Sequence, residues 1–325
     1  MALRVGFVSS AHQHAHAYVH GLRTVPGCTF AGIWDRKPER RSSFAVQHGI
    51  PEFESLSDLL GQCDAVVIAS ENKRHAEDIE AAAAANLHFI CEKPIATTPE
   101  EAARIRAAVA NHTGVKMTAF PCRYSPAYQS LRSKVANGDI GTLRAVCSTN
   151  RGTCPFDWFV DVAESGGGAM IDHVVHVTDL LRDLLQEEVG RVQAQTGNGV
   201  YAQSWEDTAM VTLEFPSGAF ATIDSSWSRP AGFRTWGDVM LNVVGEAGVI
   251  ELDMFSQEVH RYGVGQKSHT VANYGSDLDA LMIAEFLSAI NEGRQGRTTL
   301  EDGLKASEVA MSAYQSVQSR EVASL

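Results

Sequence analysis

The sequence predicts an α/β chain: a doubly wound parallel sheet with helices on both faces, followed by an α+β half built on a large, mostly antiparallel open sheet. Three observations carry this. Up to Pro121, short apolar, β-branched segments alternate with helical ones, the pattern of repeated strand–helix units. Beyond it the strands lengthen and alternate apolar with polar residues, as in a sheet with one solvated face. Two of these strands meet across Pro216-Ser217-Gly218, a hairpin signal. The composition changes near Pro121-Cys122, so domains are expected at 1–121 and 122–325.

Leu3 to Val8 reads as a buried parallel strand, being short, apolar and β-branched. A polar turn and a helix over about 15–22 follow. Thr29 to Trp34 is a second strand ending at Asp35, and about 38–48 is a charged helix. Ala65 to Ala69 is a buried strand. Ala76 to Ala85 is a strong helix, because alanine loses least on helix formation. His88 to Cys91 is a strand, Pro99 to Ala110 a helix and Lys116 to Phe120 a strand. Helices are then predicted over about 127–137 and 170–185. Strands follow at 209–215, 219–227, 239–244 and 249–253, and helices at 276–291 and 304–319 close the chain.

The 325 residues are 44% hydrophobic and 20% charged, as in an ordinary globular protein of two domains. A net charge of −12 argues against a nucleic-acid partner, which wants a basic face. The six cysteines form no CxxC pair, which argues against a zinc ribbon or a disulfide framework. No apolar run is long enough to span a membrane, and the N-terminus leads straight into a strand without a signal-peptide pattern. A reduced, cytoplasmic setting is expected.

Candidate chemistry lies at two places. The first strand-to-helix turn, Gly6-Phe7-Val8-Ser9-Ser10-Ala11-His12, has small residues where a dinucleotide turn carries glycines. Ser9, Ser10, Ala11 and His12 would still let backbone amides approach a pyrophosphate at the helix N-terminus. Asp35 ends the second strand, where a carboxylate binds ribose hydroxyls and repels a 2′-phosphate. NAD is therefore expected, with NADP as the alternative that Arg36 admits. The competing explanation of Asp35 is a turn-forming aspartate before Pro38.

Phe89-Ile90-Cys91-Glu92-Lys93-Pro94 ends an apolar strand in a charged pair and a proline. Lys93 there can exchange a hydrogen bond with a substrate hydroxyl, with Glu92 holding the local charge. Gly166 to His176 is the second place: three glycines turn the chain tightly into a helix. Asp172 and His176 lie at i and i+4 on one face of that helix. His176 is the candidate general base, with Asp172 to bind substrate and tune it. Asp179 reads as structural and His173 as pointing elsewhere. Trp158, Arg151 and Tyr201 are candidate sugar-facing groups by placement. The cluster His12, His14, His16 and His20 could ligate a metal, but no cysteine or acid follows at zinc-ligand spacing. No metal is expected; His12 and His14 are placed near the nicotinamide or substrate instead.

These motifs resemble the glucose–fructose oxidoreductase / inositol dehydrogenase (Gfo/Idh/MocA) family over nearly the whole chain. The resemblance implies a Rossmann first domain, a nicotinamide cofactor and a C-terminal domain that binds substrate and builds homodimers or homotetramers through its sheet. It implies that Lys93 lies between nicotinamide and substrate, next to a bond that is often cis. It matches Asp172 and His176 to the family's Asp-x-x-x-His pattern. Ser70-Glu71-Asn72-Lys73-Arg74-His75 resembles the family's loop in which Asn72 and His75 flank the cofactor, with Glu71 where a proline is usual. Arg123, in Phe120 to Pro126, would contact substrate or cofactor, or anchor the domain interface.

The expected activity is NAD(P)-dependent oxidation or reduction of a secondary hydroxyl of a sugar, cyclitol or glycoside. The alternatives are an NAD-dependent glycoside hydrolase or lyase using transient oxidation, and a non-catalytic sugar-sensing subunit.

Overall fold

The computed structural model describes residues 2–262, 269–273 and 275–325. The chain divides into two compact units. One comprises Met1–Pro121, Asp157–Gly166 and Leu278–Met311; the other comprises Cys122–Phe156, Gly167–Asp277 and Ser312–Leu325.

In the first unit, β1 (Leu3–Val8), β2 (Cys28–Trp34), β3 (Ala65–Ile68), β4 (His88–Cys91) and β5 (Lys116–Thr118) form one parallel sheet in the order β2-β1-β3-β4-β5. Their connections are α1 (His14–Thr24), α2 (Pro38–His48), α3 (Leu56–Leu60), α4 (His75–Ala84) and α5 (Pro99–Val109). The strands are apolar because both faces are covered: every residue of β3 is buried. Helix starts follow local chemistry. Pro38 and Pro99 sit at first helical positions, and Thr98 with Glu101 closes a capping box on α5. The strand order reverses between β1 and β3, which makes their carboxyl ends the crevice where such sheets bind ligands.

The second unit opens with α6 (Pro126–Ala136), while the short α7 (Val162–Ser165) belongs to the first. The long α8 (Ala169–Leu185) is buried along almost its whole length. It packs on a sheet of β6 (Leu143–Gly152), β7 (Arg191–Gly197), β8 (Thr208–Glu214), β9 (Phe220–Ser226), β10 (Gly237–Gly245) and β11 (Val249–Asp253). A two-stranded β12–β13 (Glu258–Tyr262, His269–Asn273) stands apart, and β14 (Ala323–Ser324) adds to β7. The large sheet runs β11-β10-β6-β9-β8-β7-β14; only β6 and β9 pair in parallel. The β8–β9 hairpin closes through Gly218 at φ 85°. Strands β6 and β7 lie in segments not assigned from sequence alone.

Alternation decides which face of this sheet is buried. Ala209, Val211 and Leu213 of β8 and Ala221 and Ile223 of β9 point inward, while Met210 and Phe220 are about half exposed on the other side. The glycine run before α8 is there for close approach. A Cβ on Gly167 would overlap the Tyr314 hydroxyl, and one on Gly168 would overlap the Glu206 carbonyl. Glu206 in turn accepts from Gly168 N (2.6 Å) and Ala169 N (3.1 Å), placing an acid at the helix N-terminus.

The chain returns through α9 (Leu278–Glu292), which packs on α1, and α10 (Leu300–Ser319). Leu300 and Leu304 join Val8, Ile68, Phe89 and Ile95 in one core of the first unit. All six cysteines are free thiols. No helix among the described residues is long and apolar enough to cross a membrane.

Candidate active site

The turn after β1 explains how a dinucleotide-type loop forms without its glycines. Ser9 adopts φ 68°, the left-handed region that a glycine enters freely. Its hydroxyl offsets that cost by donating to Asp35 Oδ2 (2.8 Å) and accepting from Ala11 N (3.1 Å). Ser10 N also donates to Asp35 (2.9 Å), and His12 N donates to the Ala69 carbonyl at the end of β3 (2.9 Å). The turn is thus tied to both neighbouring strand ends. The Ser10 hydroxyl is buried and makes no hydrogen bond within the chain.

Asp35 is 2% exposed and fully engaged. Arg40, one turn into α2, grips it bidentately (Nε to Oδ2 2.7 Å, Nη2 to Oδ1 2.8 Å), and Lys37 N donates to Oδ1 (2.8 Å). Burial pushes this carboxyl up, but Arg40 and the backbone N–H groups outweigh it and hold it below the usual carboxylate range. The third guanidinium nitrogen of Arg40 donates to Glu71 Oε1 (2.8 Å). Glu71 therefore stands in the β3–α4 loop as an ion-pair partner. Arg36 is bound bidentately by the buried Asp78 (2.7 and 3.1 Å) and lies over the Trp34 ring. Asp78 also accepts from the Ser70 hydroxyl (2.6 Å). Arg40 was not singled out from sequence, and Glu71 only as the residue standing where a proline is usual, although an arginine one turn after a strand-end aspartate is a usable signal.

His75 is fully buried, with Nδ1 2.8 Å from the Pro94 carbonyl and Nε2 3.2 Å from the Ser70 carbonyl. Burial pushes its pKa below the ordinary value. A neutral imidazole donates to one of these carbonyls and lies against the other, so His75 links the end of β3 to the loop after β4. Asn72 Nδ2 donates to the Ser165 carbonyl (2.8 Å), inside the same unit. Trp158 also belongs to this unit: its indole N–H donates to the Ala11 carbonyl (3.0 Å) and its ring stacks on Phe159. That places it beside the turn after β1.

Nearby is a cavity of about 350 Å³ lined by Arg36, Lys37, Glu71, Arg74, Asp157, Trp158, Asp161 and Glu164. Trp158 offers an aromatic face on which a base can stack, and Arg36, Lys37 and Arg74 stand there beside the acids Glu71, Asp157, Asp161 and Glu164.

At the end of β4 the Lys93-Pro94 bond is cis, and Lys93 is 4% exposed. Glu92 is equally buried. Its Oε2 accepts from Lys93 N (3.2 Å), and its Oε1 accepts from the Tyr18 hydroxyl of α1. His14 Nδ1 lies 3.2 Å and His12 Nδ1 3.5 Å from the same Oε1. Burial raises the Glu92 carboxyl, but His12, His14 and Lys93 overcome this and leave it ionised far below the usual range.

In the second unit, Asp172 and His176 are both buried on α8. Asp172 Oδ2 accepts from the indole N–H of Trp227 (3.1 Å) and lies 3.2 Å from His173 Nε2. His173 thus does not point away, as the sequence reading held; it pairs with Asp172. Arg123 is held bidentately by Asp179 (2.7 Å at each contact) and reaches Asp183 (3.3 Å). Its charge is neutralised by α8 in its own unit. Arg151 pairs with Asp238 (3.0 Å) across β6 and β10. Tyr201 packs among Phe156 and Trp205.

Two family models match. Residues 3–120 match an oxidoreductase family with an NAD-binding Rossmann fold, and residues 128–251 match the GFO/IDH/MocA C-terminal domain. An uncharacterized oxidoreductase of Bacillus subtilis, YrbE, is 29% identical over 314 residues, covering 92% of this chain and 90% of its own. Inositol 2-dehydrogenase 3 of Saccharopolyspora erythraea is 29% identical over 258 residues, covering 78% of this chain and 73% of its own. The crystal structure of GenD2 from gentamicin A biosynthesis, in complex with NAD, shares the fold with a TM-score of 0.89 at 22% identity, covering 100% of this chain and 96% of that one. With its parallel-sheet unit, its strand-end aspartate and its mixed seven-stranded sheet, the chain is an NAD-binding oxidoreductase and belongs to the Gfo/Idh/MocA family.

Proposed function

We propose that the enzyme transfers hydride between NAD and a secondary hydroxyl of a sugar, cyclitol or glycoside. The observation that carries this reading is the burial of three ionisable groups, Lys93 just after β4 and Asp172 and His176 on α8. Ionisable groups are costly to bury and concentrate where chemistry is done. An inositol 2-dehydrogenase among the relatives supports the substrate class. Bound NAD supplies the hydride acceptor. Ser9 to His12, Asp35, Ser70, Asn72 and the Glu92-Lys93 strand end would hold it. Lys93 orients the reacting hydroxyl, His176 takes its proton, and Asp172 binds a neighbouring hydroxyl. His75 and Arg123 are assigned to shaping these elements.

A panel of sugars and cyclitols, read by absorbance of the reduced nicotinamide, tests this. At least one member should reduce added NAD in proportion to enzyme. A panel on which neither oxidation nor the reverse reaction of the ketones proceeds would sink the substrate class.

Cofactor choice follows from charge. Arg36 is already held by Asp78, and Arg40 by Asp35 and Glu71, so no free cation of this network awaits a 2′-phosphate. Calorimetric titration should show tighter binding of NAD than of NADP. Asp35→Ser releases Arg40 and should narrow that preference by about tenfold or more, or roughly 1.4 kcal/mol. A wild-type preference for NADP would overturn the role of Asp35.

The open face of the large sheet carries Met210, Phe220, Met240 and Val244, all exposed. An apolar patch of this kind marks an association surface, and we assign it to a homodimer or homotetramer. Light scattering on the eluting protein should give a multiple of 35.2 kDa; a monomer at micromolar concentration would refute the assignment.

A further inference from the structure

We infer that His12, His14 and Glu92 form a binding site for a divalent cation of the zinc class. The ligand atoms of the three lie within 4.8 Å of one another. A tetrahedral ion at about 2.1 Å from each ligand separates neighbouring ligand atoms by about 3.4 Å. The two separations to Glu92 Oε1, 3.2 Å from His14 Nδ1 and 3.5 Å from His12 Nδ1, bracket that value. Two imidazoles and one carboxylate are a ligand set suited to zinc, cobalt or nickel rather than to magnesium or calcium.

The ligands are also held in advance. Glu92 is fixed through Oε2 by Lys93 N and through Oε1 by Tyr18, the kind of support that orients a ligating carboxylate. His12 Nδ1 accepts the backbone N–H of His14 across 3.3 Å, a long bond through its single lone pair that the ion would replace. The His12 ring is braced edge-on against Phe159 and beside Trp158. His12 and Glu92 are buried, whereas the His14 side chain is 30% exposed and gives the ion a way in. Local sequence spacing hides the site because the acid comes from 78 residues further along, on β4's end. A cation there would clamp the turn after β1 to the strand end that carries Lys93.

The rival is a simple ion pair of a His14 imidazolium with Glu92. A second rival is cation capture by His16 and His48, whose ring nitrogens are 2.7 Å apart on the surface. Chelator-treated full-length protein titrated with Zn²⁺ by calorimetry, with metal content measured after gel filtration, separates them. One ion per chain is expected. His14→Ala should weaken binding by more than about 100-fold, and Tyr18→Phe by about 10–100-fold, the range for removing a group that supports a ligand. His48→Ala should leave binding intact. Should His14→Ala fail to fold, the Co²⁺-loaded wild type decides: it should show the intense visible bands of four-coordinate cobalt. No stoichiometric uptake, uptake that survives His14→Ala, or uptake abolished by His48→Ala would each overturn the assignment.

Discussion

Lys93→Met is expected to lower turnover by about 10²–10⁴, the span for losing a positioned proton-transfer or hydrogen-bonding group, while leaving the melting temperature nearly unchanged. The reasoning is local. Lys93 follows β4, an interior strand of the parallel sheet, and is almost fully buried. Its backbone N–H makes the bond to Glu92 Oε2 that shapes the turn. Methionine keeps most of the apolar stem and removes only the ammonium, so packing survives and charge does not. Glu92 keeps His12 and His14 against its carboxylate when the ammonium is lost, so its buried charge stays compensated. Steady-state rates on the true substrate and a thermal melt of both proteins check this. A mutant that keeps most of the wild-type rate would remove Lys93 from the reaction.

The sheet of the first unit was legible because a parallel strand covered on both faces must be apolar throughout, and four-residue runs such as Ala65–Ile68 show that in any window. The strand-end residues Asp35, Glu92 and Lys93 were legible for the same reason: a charge that interrupts such a run stands at a carboxyl end, where ligands bind. What was hidden is tertiary. Apart from the arginine spacing after Asp35, nothing local announces that Arg40 will neutralise that carboxylate or that Glu71 will share the arginine. Nothing places His14 and Tyr18 against Glu92 across more than seventy residues. The face assignment of α8 failed at His173 because helical spacing is a poor guide on a helix buried along nearly its whole length. There His173, adjacent in sequence to Asp172, still reaches its carboxylate. The hydroxyl of Ser9 standing in for a glycine is a further case: the left-handed turn is kept by a hydrogen bond rather than by a missing side chain.

The second large effect is expected at His176. A histidine that accepts a hydroxyl proton must be neutral, so the oxidation rate should rise with pH through a single ionisation and level off above it. His176→Ala should abolish that ionisation and slow hydride transfer by about 10²–10⁴. Asp172 is expected to act on this ionisation, because a carboxylate four residues away on one helix favours a charged imidazole. Asp172→Asn removes that charge, and the inflection should move to lower pH. The trp-indole bond from Trp227 to Asp172 (3.1 Å) can be kept by the asparagine carbonyl, which makes this substitution gentler than alanine. His173 is the competing base, because it too lies against Asp172 (3.2 Å) and is buried. The two histidines are told apart by pH–rate profiles of the single mutants. His173→Ala should retain the inflection and His176→Ala should not. If the profiles are exchanged, His173 is the base; if both overlay the wild type, neither is, and proton removal must pass to Lys93.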